Sequence, residues 1–226
     1  MAPGREAPTT VSATPTAVTV DLVVFTVREG RLNVLLVRRR EAPFAGRWSL
    51  PGGPVGPRLT LEEAARRHLL EKTGLRDVYL EQLYTFGDPG RDPRARTVTV
   101  AYYALIRPRP LAPSGDAGWF PALRPPALAF DHAEILRTGI RRLRAKLGYT
   151  TVAFELLPPT FTLSELQALY ETILGRRLDK RNFRRKILSL DLLRPCPERR
   201  AAGPHRPARL YSFKRGKMTV LESQIV

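Results

Sequence analysis

The chain has 226 residues, 43% of them hydrophobic, which allows one large domain or two smaller domains with packed cores. Lysine and arginine number 38 against 21 acidic residues. The formal net charge of +17 favours a polyanionic partner such as nucleic acid, although a generally arginine-rich composition would also explain it. A single cysteine, Cys196, excludes an internal disulfide framework and a cysteine-rich zinc site. No apolar run approaches the roughly 20 residues of a membrane helix.

Residues 1–17 are rich in Pro, Thr and Ala and lack the apolar centre of a secretion signal. We therefore expect a disordered N-terminal tail on a cytoplasmic protein that has no membrane partner. The next part of the chain predicts strands around a helix. Four stretches predict strands: residues 18–27, 31–40, 78–86 and 96–106. Glu29 and Gly30 separate the first two as a hairpin turn.

A helix is predicted between the two pairs of strands, within residues 60–74. Thr60 and Glu63 form a capping box, and Gly74 is placed to end the helix. The Pro-rich residues 107–126 are expected to break regular structure. Residues 131–148 then show a long basic helical pattern that closes a domain predicted over residues 18–148.

The remaining residues predict a second domain, over 149–216, followed by a C-terminal tail at 217–226. Residues 161–175 form a helical pattern with a capping box of Thr162 and Glu165, and residues 179–190 form another with Asp179 as its N-cap. Two helices joined by a short turn indicate a helix-turn-helix. The strand-like stretches that follow them predict a two-stranded wing: residues 192–198 and 208–215.

The second of these helices presents a basic face. With about 100° of rotation per residue, Arg181 and Arg185 lie opposite Phe183, with Asn182 and Arg184 beside them. Arginine suits guanine and asparagine suits adenine in the major groove, whereas lysines at the rim suit phosphates. The predicted DNA-binding residues are Lys180, Arg181, Asn182, Arg184, Arg185, Lys186, Arg206 and Arg209. The alternative is a basic helix face that is merely solvated.

Residues 50–75 resemble the Nudix box, a glycine-framed helix whose glutamates hold Mg²⁺ in hydrolases. The matching positions are Gly53, Arg67, Leu69, Glu71, Gly74 and Leu75. Leu59, His68 and Lys72 stand where the box has glutamates. Because Mg²⁺ requires hard oxygen ligands, one carboxylate beside an ammonium predicts no metal site and no catalytic residue. Lys72 would still attract a diphosphate, and His68 is expected to be an ordinary helix histidine.

The chain is similar, from about residue 18 to 215, to the Nudix-related transcriptional regulators of NAD metabolism, the NrtR family. The stretches VDLVVFTV, LLVRRREAPFAGRWSLPGG, LYTFGDPGRDPR and LDKRNFRRK carry the resemblance. It implies an α/β Nudix-like sandwich, with a mixed sheet flanked by helices, followed by a winged helix-turn-helix domain. It also implies a dimeric repressor of NAD biosynthesis or salvage genes that binds a palindromic operator and is released by ADP-ribose. The PVGPRLT segment departs from the more acidic loop of the family.

An effector pocket without a required cofactor follows from this resemblance and from the chemistry of ADP-ribose. Its diphosphate needs cations and its adenine needs a flat surface. The predicted effector-binding residues are Arg38, Arg40, Phe44, Arg47, Trp48, Arg67, Asp88 and Arg91. The alternatives are that Trp48 belongs to the core and that the GDPGRDPR loop is only a long hairpin turn.

Two other functions stay open at this point. One is an active Nudix hydrolase with an appended nucleic-acid-binding domain, against which the substituted glutamates count. The other is an RNA-binding or architectural protein, which only the net charge favours. Preference for a palindromic duplex over RNA would separate the latter from a repressor.

Overall fold

The computed structural model describes residues 15–76, 78–108, 116–200, 207–214, 218–221 and 225. Within these residues seven strands form one mixed sheet. The strands are β1 (Ala17–Arg28), β2 (Arg31–Arg38), β3 (Trp48–Ser49), β4 (Gly52–Pro54), β5 (Tyr79–Phe86), β6 (Thr97–Leu105) and β7 (Ala117–Pro121). Helix α1 (Leu61–Thr73) lies on one face of the sheet and helix α2 (His132–Tyr149) on the other. The predicted mixed sheet flanked by helices is confirmed.

Strand β1 is at the centre of the sheet, parallel to β6 and antiparallel to β2. Val20, Leu22 and Val24 point into the core under α1, whereas Val23 and Phe25 point into the core under α2. Because helices cover both faces, the strand is apolar at consecutive positions and not only at alternate ones. The β1–β2 turn has positive φ at Glu29 (51°) and Gly30 (67°), the conformation that a two-residue hairpin requires.

Helix α1 begins and ends where the sequence predicts. The Thr60 side chain accepts from the Glu63 N–H at 3.2 Å, and the Glu63 carboxylate accepts from the Thr60 N–H at 2.8 Å. Gly74 ends the helix in the left-handed conformation, with φ of 68°. Its buried side includes Ala64, Ala65 and Leu69, which pack against the sheet.

The second half forms a small winged helix. A 3-10 helix (Val152–Leu156) leads to β8 (Thr160–Phe161), α3 (Leu163–Leu174), α4 (Lys180–Ser189), β9 (Leu193–Arg200) and β10 (Ala208–Phe213). The three strands pair in the order β8, β10, β9. Thr162 and Glu165 cap α3 reciprocally, and the Asp179 side chain accepts from the Asn182 N–H at the start of α4. The predicted helix-turn-helix with a wing is confirmed.

Helix α2 joins the two halves in one core. On the sheet side, a Cβ at Gly139 would lie 3.2 Å from Val23, so the helix approaches β1 closely. On the other side, Arg144 Nε donates to the Ile173 carbonyl at the end of α3 at 2.8 Å. Buried residues of α3 and α4, including Tyr170 and Phe183, belong to the same hydrophobic cluster as Val23.

Three sequence-based expectations need correction. Strand β7 forms within the Pro-rich stretch that was expected to be irregular, where it pairs with β2. The predicted disordered tail ends earlier than residue 17, since Ala17 begins β1 and donates its N–H to the Arg96 carbonyl at 2.9 Å. Residues 1–14 of that tail lie outside the described residues. Part of the predicted C-terminal tail is packed, because Ile225 is only 5% exposed. In the part of the chain that the structure describes, no helix is long and apolar enough to cross a membrane.

The hydroxyl of Tyr170 generates a stability prediction. Tyr170 is fully buried, and among the described residues its hydroxyl has no hydrogen-bond partner. An unpaired buried hydroxyl is destabilising, so Tyr170→Phe is expected to raise the free energy of unfolding by about 1 kcal/mol. Tyr103→Phe is the control: this residue is equally buried but its hydroxyl bonds Glu81 and Tyr79, so the variant is expected to lose stability. Urea unfolding measures both, and a loss for Tyr170→Phe as large as that for Tyr103→Phe would contradict the prediction.

Candidate functional site

A cleft of about 320 Å³ opens next to the Nudix-box helix. Strands β1 and β4, the last turn of α1 and the loop between β5 and β6 contribute to its walls. Gly52 and Gly53 bring the backbone of β4 to the cleft, and a Cβ at Gly53 would lie 2.8 Å from the His68 ring. His68 is 8% exposed and its Nε2 lies 3.4 Å from the Pro54 carbonyl. The histidine therefore fills the space between α1 and β4.

The Nudix-box residues next to the cleft contribute one carboxylate, that of Glu71, and one ammonium, that of Lys72. Glu71 is half exposed and lies 3.7 Å from Arg67 and 3.3 Å from His68. Lys72 lines the cleft, and among the described residues no carboxylate pairs with its ammonium. Within the same described residues, no three His, Cys, Asp or Glu side chains gather as metal ligands. At Lys72 the cleft therefore presents a positive charge.

Two arginines from different loops add to that charge. Arg39 follows β2 and Arg94 belongs to the β5–β6 loop; their guanidinium carbons lie 4.7 and 5.7 Å from the centroid of the Phe130 ring. Burial and then repulsion from Arg94 lower the pKa of Arg39, opposed by Asp92 and Glu41. Arg94 is held by Asp92 through a bidentate pair at 3.0 and 2.8 Å. An anion bound between these cations would relieve their repulsion.

Arg91, which the sequence predicts to bind the effector, lies in a buried ion-pair network. Its guanidinium donates twice to Asp131 at 2.8 Å and once to Asp21 at 3.3 Å, and its side chain is 4% exposed. The neighbouring His132 accepts from the Leu50 N–H at 2.9 Å. Burial lowers the pKa of His132, opposed by the carboxylates of Asp21 and Asp131. Two carboxylates therefore already satisfy Arg91, which anchors the loop to the start of α2.

A second cavity, of about 710 Å³, shares Arg91 and Phe130 with the cleft. It is lined by aromatic rings that include Phe44 and Tyr84, which are 36% and 61% exposed. Phe44 and Phe130 meet edge to face at 5.0 Å, and both have positive φ, of 65° and 54°. Non-glycine residues adopt this strained conformation rarely, and often where a binding site requires it.

The predicted effector residues fall into separate places. Phe44, Asp88 and Arg91 line the aromatic cavity. Arg67 lies on α1 facing a different groove, which Leu70 and Tyr79 also line. The other four lie outside both cavities. Arg38 bonds the Gly46 carbonyl, Arg40 pairs with Asp116, and Arg47 is exposed 5.9 Å from the Phe44 ring. Trp48 is half-buried and packs on Phe120 against the core. The alternative interpretation of Trp48 as a core residue agrees with this position.

Sequence reasoning missed Arg39, Arg94 and Phe130 as cleft residues. The alternation of β2 could have identified Arg39, since Val37 and Arg39 lie on the side of the cleft and Arg38 and Arg40 do not. Arg94 belongs to the GDPGRDPR loop, whose other arginine, Arg91, is the one that the sequence predicts to bind the effector. No local signal identifies Phe130, because its place in the cleft depends on contacts with Arg39 and Arg94, which are far from it in sequence.

Helix α4 presents the basic face that the sequence predicts. Phe183 and Ile187 are buried, whereas Lys180, Arg181, Asn182 and Arg185 are exposed. Arg185 donates to the Asn182 side-chain oxygen at 3.0 Å, which orients the two side chains together. Four positions therefore form an open polar surface, the kind of surface that enters a DNA groove.

The other predicted DNA-binding residues differ in position. Arg184 is half-buried and donates to the Ser164 hydroxyl at the start of α3 at 2.9 Å, so it is less open than its neighbours. Lys186 is half-buried on the flank of α4, and Arg209 is exposed on β10. Arg206 lies outside the described residues.

Both halves match known families. A family model described as NUDIX domain matches residues 15–143, and one described as NrtR DNA-binding winged helix domain matches residues 153–213. The ADPR responsive transcriptional repressor NtrR of Acinetobacter baylyi is 41% identical over 204 residues, which cover 86% of this chain and 81% of that protein.

Two solved structures of Shewanella oneidensis NrtR are also similar. The crystal structure of that protein complexed with a 27mer DNA has 39% identity and a TM-score of 0.79, and the match covers 87% of this chain and 93% of that one. Its NUDIX domain complexed with ADP ribose has 39% identity and a TM-score of 0.52, with 61% of this chain and 94% of that one covered.

Fold and matches together define a Nudix domain joined to a winged-helix DNA-binding domain. The chain belongs to the NrtR family. The family predicted from the sequence is thereby confirmed, while the domain boundary at residue 148 and the individual effector and DNA contacts stay predictions.

The Arg91 network generates a second stability prediction. Arg91→Met removes the shared cation and leaves Asp21 and Asp131 buried without it, so the free energy of unfolding is expected to fall by about 3–5 kcal/mol. Arg58→Met, at an exposed arginine, is the matched control and is expected to change stability by less than about 0.5 kcal/mol. Equal urea midpoints for the two variants would show that Arg91 does not anchor the loop.

Proposed function

We propose that the protein is a transcriptional repressor of NAD biosynthesis or salvage genes. It acts in the cytoplasm as a homodimer on a palindromic operator and leaves the DNA when ADP-ribose or a related nucleotide binds. The observation that carries this proposal is the Lys72 ammonium, which lines the cleft where the Nudix box has a glutamate. Similarity to a repressor named for its response to ADP-ribose supports it, as do the related structures with DNA and with ADP ribose.

The chemistry of the two adjoining cavities fits such a nucleotide. Lys72, Arg39 and Arg94 supply the cations that a diphosphate requires. Phe44 and Tyr84, in the neighbouring cavity, supply exposed rings against which adenine can stack. Since Arg91 lines both cavities, one ligand can extend from the cations to the rings.

The ion pairs of the cleft and the charge of Lys72 argue against hydrolysis. Asp21 is engaged by Arg91 and Asp92 by Arg94, and Mg²⁺ requires free carboxylate oxygens near the diphosphate. The Lys72 ammonium repels a cation at this position. We infer that the cleft binds its ligand without a required cofactor and without cleaving it.

The exposed face of α4 suits sequence reading. Arg181, Asn182 and Arg185 have the donor and acceptor groups that guanine and adenine edges require in the major groove. Lys180 on the same helix and Arg209 on the wing suit phosphates. A two-fold dimer would then read an inverted repeat with half-sites about one helical turn, or a multiple, apart.

This assignment predicts two kinds of loss in DNA binding. Arg181→Ala and Arg185→Ala are expected to weaken binding to an operator selected from random duplexes by roughly 1–3 kcal/mol, because each removes a contact to a base. Lys180→Ala is expected to weaken operator and random duplex equally and to reduce the slope of log affinity against log salt by about 1. Fluorescence anisotropy measures the affinities, with Arg58→Ala as the charge-matched control. Equal losses on operator and random duplex for both arginine variants would contradict the reading face.

Ligand binding predicts a reciprocal effect on DNA. ADP-ribose is expected to weaken operator binding about 5- to 150-fold, and the operator to weaken ADP-ribose binding by the same factor. Lys72→Glu is expected to abolish this response because it places a carboxylate beside the diphosphate. Isothermal titration and anisotropy measure the two factors, and AMP and NAD serve as comparison ligands.

Arg76→Glu is the matched control for Lys72→Glu, since it makes the same charge change at an exposed residue outside the cleft. ADP-ribose that binds without changing operator affinity would contradict the repressor switch. Incubation with Mg²⁺ or Mn²⁺ is expected to return ADP-ribose intact, and turnover on the order of 1 per second or more would favour a hydrolase.

A further inference from the structure

A short segment after the wing crosses from one half of the molecule to the other. Residues 218–221 and 225 lie along the end of α2 and the residues that follow it. Leu221 N–H donates to the Tyr149 carbonyl at 2.8 Å, Ile225 N–H to the Gly148 carbonyl at 2.7 Å, and Thr151 N–H to the Thr219 carbonyl at 3.0 Å. Val220 and Thr150 form an antiparallel bridge. We call these residues the C-terminal segment.

One side chain of the C-terminal segment, that of Ile225, lies near α4. Ile225 is 5% exposed and belongs to the main hydrophobic cluster. It borders a cavity of about 520 Å³ with Phe183 and Lys186 of α4 and Leu178 of the turn before it. The segment is therefore hydrogen-bonded to α2 through its backbone, and its buried Ile225 side chain belongs to the same hydrophobic cluster as Phe183 of α4 and borders the same cavity.

The end of α2 to which the segment is bonded is itself fixed to the sheet. Lys146 Nζ lies 2.5 Å from a Glu81 carboxylate oxygen on β5, and Arg142 donates to the Leu83 carbonyl at 3.0 Å. The Thr150 N–H and hydroxyl both bond the Lys146 carbonyl, at 2.9 and 2.7 Å. A displacement of the sheet would therefore also move the residues that hold the C-terminal segment.

We propose that the C-terminal segment is the positioning element that fixes α4 relative to α2, with Ile225 as its anchor. It adds a contact between the two halves to those made by the shared core and by Arg144 with Ile173. The proposal rests on the proposed function for its role in operator binding and in the response to ADP-ribose. Its role in holding α4 is independent of any ligand.

The test compares substitutions within the segment. Ile225→Asp places a charge at the buried anchor, whereas Val220→Asp makes the same kind of change at a side chain that is 66% exposed. Ile225→Leu keeps an apolar anchor, and Ile225→Ala is a milder variant if the aspartate prevents folding. Amide hydrogen exchange of residues 180–189 reports on α4, and residues 61–73 of α1 serve as the internal reference.

In Ile225→Asp and Ile225→Ala, exchange is expected to accelerate in α4 and to stay unchanged in α1. Operator affinity is expected to fall about tenfold for Ile225→Asp, within the range of typical single-residue effects. The factor by which ADP-ribose weakens operator binding is expected to fall toward one. Val220→Asp and Ile225→Leu are expected to behave like the unsubstituted protein in all three measurements.

Unchanged exchange in α4 for both Ile225→Asp and Ile225→Ala would overturn the proposal. So would a variant with faster exchange that keeps the full ADP-ribose factor, since the segment would then hold α4 without linking it to the effector half. If the unsubstituted protein binds no operator or ignores ADP-ribose, the proposed function fails, and the exchange measurement alone decides whether the segment positions α4.

Discussion

The burial of α2 between the sheet and α3 is the constraint on which the rest of the structure depends. Gly139 allows the helix to approach Val23, and Arg144 bonds the end of α3 on the opposite side. One continuous core follows from this arrangement, because side chains of the sheet, of α2 and of the winged helix share a cluster. The two halves therefore cannot shift freely as domains on a flexible linker would.

This packing also determines how the cleft is built. Asp131 immediately precedes α2, and its pair with Arg91 draws the β5–β6 loop toward the start of the helix. Arg94 follows in the same loop and reaches the Phe130 ring. The position of Arg94 thus depends on an ion pair whose members are 40 residues apart in sequence. Of the three glutamates that the Nudix box lacks, one is replaced by Lys72, and Arg39 and Arg94 line the same cleft.

Elements with capping or turn residues at their ends could be predicted from the sequence, whereas elements that depend on contacts distant in sequence could not. Thr60 with Glu63, Thr162 with Glu165, and the Glu29–Gly30 turn each form the structure that their residue types favour. Strands β3 and β4 have two and three residues, too few for any periodicity to show. The roles of Arg91 and Ile225 depend on partners such as Asp21 and Gly148, which lie 70 or more positions away. Residue type predicts a ligand contact for Arg91, and its buried ion pairs add a structural role that the sequence alone does not show.

The two-sided burial of β1 has a consequence for how its register is specified. In a strand with one polar face, a slip by one residue is prevented because it would expose apolar side chains. In β1 such a slip would exchange Val20, Leu22 and Val24 with Val23 and Phe25, one apolar set for another, and hydrophobicity alone barely distinguishes the two alignments. The distinction must come from shape and from polar groups. Val23 packs closely against Gly139, the Thr26 hydroxyl donates to the Ile106 carbonyl at 2.8 Å, and Asp21 forms an ion pair with Arg91. The positive-φ turn after the strand sets the hairpin alignment with β2. A few positions of this strand therefore specify its register, while most of its side chains contribute only hydrophobic packing.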